Sequence, residues 1–117
     1  MRSAIVALLT PLLASVMVSA GQTPQTFTGV ITDDACPLGD HTRMRMGPTD
    51  AECVRACILS HGASYVLYDG KRALVLSDQE MPGRFAAQKV TVTGTLDTRT
   101  MTISVASITP VEADGDL

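Results

Sequence analysis

The chain has 117 residues, with nine basic against twelve acidic side chains and a net charge of −3, which bounds it to a single small domain. It has no Trp, two Tyr and two Phe. So acidic a chain with so few aromatics lacks the basic groove and stacking platforms that single-stranded nucleic acid requires, and no nucleic-acid partner is expected.

Residues 1–20 read as a signal peptide. Arg2 gives a basic start, an apolar run extends from Ala4 to Val18, and Val18-Ser19-Ala20 is a small-residue cleavage site before Gly21. Thr10, Pro11 and Ser15 interrupt the run, which falls short of the roughly 20 apolar residues of a bilayer span, so no integral membrane span is expected in the mature form. No cysteine follows the run, which excludes a lipoprotein signal. The expected location is therefore periplasmic or secreted. The mature chain would keep eight basic and twelve acidic side chains, a net charge of −4.

Thr26 to Asp33 (TFTGVITD) alternates and is rich in β-formers, which predicts a first strand. Gly29 in its interior points to a sharp coil or a close backbone approach. Asp34 to Pro48 contains Pro37, Gly39, Gly47 and Pro48 and shows no period. It is a loop of about 15 residues, too long for a connection alone. Thr49-Asp50-Ala51-Glu52 then fits a capping box, with the Thr49 hydroxyl on an orphan helix N–H and Glu52 reaching back to the Thr49 amide. The helix should run to Ser60 or His61 and stop at Gly62 in the left-handed conformation. Val54, Cys57 and Ile58 form its inner stripe, with Glu52 and Arg55 facing water.

Ser64–Tyr68 and Arg72–Ser77 read as strands two and three around an Asp69-Gly70 hairpin turn. Asp78–Ala87 holds Pro82-Gly83 and a short helical turn. Lys89–Leu96 and Met101–Ile108 alternate and give strands four and five. Five short strands and one helix predict a mainly β fold: a five-stranded, OB-like antiparallel barrel over residues 21–110, with the helix between strands one and two. Residues 111–117, with Glu112, Asp114 and Asp116, read as an acidic flexible tail. A flat five-stranded sheet with the helix on one face is the main competitor.

The pattern resembles a family of small secreted bacterial proteins grouped under an OB-like domain of unknown function. The residues that carry the resemblance are Gly29-Val30-Ile31-Thr32-Asp33 leading to Cys36, His41 with Met44, Glu52-Cys53 and Cys57. They continue through Gly62, Tyr65-Val66-Leu67, Leu76-Ser77-Asp78, Phe85-Ala86 and Val90-Thr91-Val92-Thr93-Gly94-Thr95-Leu96. The resemblance implies export, the cysteine cluster and the barrel, and it implies no activity. It assigns no role to His61.

All three cysteines and both histidines lie between Cys36 and His61, with Met44 and Met46. An odd cysteine count in an exported chain leaves one thiol free after one disulfide. Cys53 and Cys57 stand one helical turn apart and are poorly aimed at each other, so Cys36 is the better partner for either. Cys36–Cys57 is favoured slightly over Cys36–Cys53, because Cys57 lies deeper on the core stripe. The remaining thiol suggests a soft-metal site. Cys53 near a helix N-terminus, with His41, Met44 and Met46, is a thiolate–imidazole–thioether set of the kind that selects copper as Cu(I). If every thiol stays reduced, Cys36, Cys53, Cys57 and His41 offer a tetrahedral Cys3His site instead. The plainer alternative is that Met44 and Met46 cap the barrel mouth and His41 is a solvated loop residue.

Cys53-x3-Cys57-x3-His61 also has the spacing of a dinuclear copper loop. On a helix, however, Cys53 and His61 stand about 12 Å apart and share no ion. His61 fits better as a cationic partner for the last helix carbonyls. No phosphate loop, catalytic triad or Cys-x-x-Cys motif is present. The expected function is an exported, non-enzymatic binding module with a disulfide staple and a candidate copper site. The alternatives are a thiol redox protein that moves Cys36 between Cys53 and Cys57, and an interaction module that docks an envelope protein partner.

Overall fold

Alternation along the first strand organises the sheet. In the computed structural model, which describes residues 4–5, 7–8, 10–14 and 23–112, strand β1 (Gln25–Asp33) buries Phe27, Gly29 and Ile31 at alternate positions and Thr32 and Asp33 at its end, and leaves Gln25, Thr26 and Thr28 in water. β1 pairs antiparallel on one side with β2 (Tyr65–Tyr68) and on the other with β4 (Lys89–Asp97). A hairpin joins β2 to β3 (Ala73–Leu76), its turn tied by Asp69 Oδ1, which accepts the Lys71 and Arg72 amides at 2.8 and 2.7 Å. A second hairpin joins β4 to β5 (Thr102–Pro110), with a register shift at Thr93/Gly94 that bends the pair.

The sheet closes in a ring in the order β1-β2-β3-β5-β4. Ring closure rules out the flat sheet. It also corrects the all-antiparallel expectation, since β3 and β5 run parallel, with Val75 opposite Thr102 and Leu76 opposite Ile103. The reason is counting: strand direction cannot alternate all the way round a ring with an odd number of members, so one seam must be parallel. Gly29 shows why a glycine was needed in β1, because a Cβ there would run into the Tyr68 carbonyl oxygen and backbone. Inside the ring, Ile31, Leu67, Leu74, Leu76, Val90, Val92 and Ile103 form the core with Phe27 and Tyr65.

Helix α1 (Asp50–His61) follows β1 in the chain, and only a 3₁₀ turn, Met81–Phe85, lies between β3 and β4. The Thr49 side chain caps α1 by accepting the Glu52 amide at 3.2 Å. The Glu52 carboxylate accepts the Thr49 hydroxyl at 3.3 Å, where the sequence suggested the Thr49 amide. Gly62 ends the helix at φ 63°, its amide on the Cys57 carbonyl. Val54 enters the core beside Ala51 and Ile58, and Cys53 and Cys57 are buried with it.

Among the described residues, no helix is long and apolar enough to cross a membrane. Residues 4–5, 7–8 and 10–14 carry no helix or strand, and the cleavage site Val18-Ser19-Ala20 lies outside the described residues. So do residues 113–117 of the expected tail.

Candidate metal-binding site

Strand alternation carries Asp33 onto the inner face, where it is fully buried at the end of β1. Its Oδ1 accepts the backbone amides of Ala35 at 2.9 Å and Cys36 at 3.0 Å, an Asx turn that folds the chain back over the carboxylate. Thr32 Oγ1 donates to the Cys36 carbonyl at 2.8 Å, and the Gly39 amide donates to the same oxygen at 3.0 Å. These bonds fix Cys36 above Asp33 and lead the loop round to His41.

Asp33, Cys36 and His41 each present one ligand atom, and these atoms lie within 4.8 Å of one another. The three residues are 0%, 7% and 4% exposed. Asp33 Oδ2 and His41 Nδ1 are both buried and have no hydrogen-bond partner. An unsatisfied buried polar group costs about 1–3 kcal/mol. Two such unpartnered atoms on residues clustered with a thiol make a set that could hold a cation.

No disulfide is present: Cys36, Cys53 and Cys57 are free and buried, which corrects the expected Cys36–Cys57 or Cys36–Cys53 staple. The loop is closed by hydrogen bonds instead. The Asp33 turn holds its start, and the Cys53 thiol holds its far side, donating to the Met44 carbonyl at 3.2 Å and accepting the Met46 amide at 3.4 Å. Cys57 stands near Asp33, Cys53 and Cys36; burial first, and then the Asp33 carboxylate and the two neighbouring thiols, push its thiol up to about 11. Burial, followed by Asp33, Cys53 and Asp40, also raises the Cys36 thiol.

Of the residues suggested for copper, His41 stands in the cluster. Met44 and Met46 meet Cys53 through their backbones, and they are 44% and 37% exposed. Met44 also lines an open groove of about 500 Å³ with Cys36, Pro37, Leu38 and Arg43. Cys36 and His41 of the Cys3His alternative are brought together, without Cys53 or Cys57 in the same group. His61 is exposed at the helix end. Asp33 was missed as a ligand in the sequence, where it stood only as the last residue of the first strand. The signal was available: Asp33 continues the inward alternation of Phe27, Gly29 and Ile31, and a carboxylate at a core-facing strand position needs a partner.

No protein-family model, curated protein or solved structure matches this chain. What the cluster does has to be read from its donors.

Proposed function

We propose that this is an exported, non-enzymatic metal-binding protein, whose ion is held by Asp33, Cys36 and His41 on an OB-like ring. The observation that carries the reading is the cluster of Asp33, Cys36 and His41, whose ligand atoms lie within 4.8 Å of one another and two of whose residues keep a buried, unpartnered atom, Asp33 Oδ2 and His41 Nδ1. One carboxylate, one thiolate and one imidazole suit a borderline divalent ion of the zinc class better than Cu(I), which selects thiolates and thioethers.

The same three residue types also occur in cysteine-nucleophile triads, but the arrangement differs. A triad needs the carboxylate on an imidazole N–H, whereas Asp33 Oδ1 serves two backbone amides and His41 Nδ1 has no partner. Support for the OB-like reading is the ring order with its single parallel seam. The departure from that plan is a 3₁₀ turn where a helix is usual, with α1 after β1 instead. Support for export is the basic-apolar-small pattern of residues 1–20.

A copper reading keeps one specific support, the Met44 side of the groove that Cys36 lines. Cu(I) would then take Cys36, His41 and Met44 and leave Asp33 aside. Titration of the reduced full-length chain with Co2+, Zn2+ and Cu(I), each against a competing chelator, separates the two. The expected result is divalent binding with a thiolate-to-Co2+ charge-transfer band, weakened at least about tenfold by Asp33→Asn and by His41→Ala and unchanged by Met44→Ala. Dependence on Met44 and indifference to Asp33 selects copper. Binding of no ion more tightly than millimolar overturns the metal function.

A further inference from the structure

The ligands reach the cluster by different routes. Asp33 is set by β1 and its pairing with Tyr65, and Cys36 is set by the Asx turn on Asp33. His41 arrives on the loop, so its position depends on how the loop is held downstream. Three observations place that downstream anchor on the first turns of α1. The Cys53 thiol is clasped between Met44 and Met46, donating to the carbonyl of one and accepting the amide of the other. Arg45, the residue between them, pairs with Asp50 at 2.6 Å. Gly47 lies so close to the helix that a Cβ on it would stand 2.9 Å from Glu52 Cβ and 3.2 Å from the Cys53 amide nitrogen.

The three contacts differ in weight. The Arg45–Asp50 pair is about half exposed on both sides and contributes little. The Cys53 contacts are part-buried, and Cys53 itself is fully buried, so water cannot replace what its sulfur provides. From Met44 back to His41 is only three residues, about 10 Å of extended chain at most. A loop released at Cys53 therefore has enough slack to take the imidazole out of ligand range.

We propose that Cys53 is a positioning residue for the metal site, a latch whose thiol fastens residues 44–46 to α1 and so holds His41 against Asp33 and Cys36. This rests on the metal reading above and assigns Cys53 a role outside the coordination sphere. Serine keeps a donor and an acceptor at this position, while valine keeps the bulk and loses both.

The test measures Co2+ affinity, the thiolate charge-transfer intensity and amide exchange at Met46 in the reduced full-length chain, in Cys53→Ser and in Cys53→Val. Cys53→Val is expected to bind about 10–100-fold more weakly, the range found when a group orienting a metal ligand is lost. Its charge-transfer intensity at saturation stays that of the parent chain, and its Met46 amide exchanges faster. Cys53→Ser is expected to recover most of the affinity and of the Met46 protection. Gly47→Ala, which lifts the loop without touching the sulfur, should weaken binding in the same direction. Equal affinity and equal Met46 protection in the parent chain and Cys53→Val overturn the latch alone. Equal loss in Ser and Val, with reduced charge-transfer intensity, overturns it in favour of direct ligation by Cys53. A parent chain that takes no Co2+ overturns the metal site itself.

Discussion

Asp33 does two jobs with two oxygens, and they can be separated. Oδ1 satisfies the amides of Ala35 and Cys36, while Oδ2 is buried without a hydrogen-bond partner. Asp33→Asn keeps a carbonyl oxygen for the turn, so its apo stability should change by less than about 1 kcal/mol while divalent binding falls. Asp33→Ala loses the turn as well and should cost about 2 kcal/mol in urea unfolding. Cys57 contributes to the alkaline limit of the protein, beside Cys36 and Tyr65, which burial also pushes up. Its thiol titrates near 11 in the fold, above its value in an unfolded chain. Above about pH 9 the unfolded chain has lost a proton that the folded chain keeps, so stability is full below that range and declines as pH rises toward 11. Urea melts between pH 7 and pH 10 should show this decline, and Cys57→Ala should make it shallower. With no bridge to reduce, thermal melts with and without reductant should coincide.

At the scale of elements, α1 is built by local rules and placed by distant ones. Thr49 caps it, acidic Asp50 and Glu52 occupy its first turn, and Gly62 stops it. Thr49→Ala should therefore cost about 1 kcal/mol, measured by chemical denaturation. The effect should extend to the candidate metal site, because Met44 and Met46 hang on Cys53 near the start of the same helix. A frayed α1 should lower Co2+ affinity more than an equal destabilisation made in the β4–β5 hairpin. The loop shows the converse. It has no helix or strand of its own, yet Asp33 and Cys53 at its two ends give it a defined path.

For the molecule as a whole, the ring is as strong as its parallel seam. β4 pairs with β5 over eight registered positions and β1 with β4 over six, whereas β3 and β5 share two. Backbone bonds from Val75 to Met101 and from Ser77 to Ile103, both 2.9 Å, complete the seam. Native-state hydrogen exchange should find the Val75 and Ser77 amides opening at lower free energy than Val92 or Thr93. Closure also demands close approach on the far side, so Gly29→Val should unfold the domain outright by driving a branched side chain into the Tyr68 backbone.

Much of this was legible in the residues themselves. The strands, the cap at Thr49, the stop at Gly62 and the close approach at Gly29 follow from alternation, capping chemistry and sterics, which act over a few neighbouring residues. So does the crowding of Cys, His and Met into one loop and one helix. What only the tertiary structure decided is which of those side chains meet. Cys36 pairs with Asp33 and His41 and not with a second sulfur, because the end of β1 turns back through the Asp33 carboxylate. Cys53, the most attractive ligand on paper, spends its sulfur on the backbone of Met44 and Met46. Sequence spacing bounds how far apart two groups stand, but the direction of a buried side chain is set by packing from segments distant in the chain. In this protein that packing chose oxygen, nitrogen and a single sulfur.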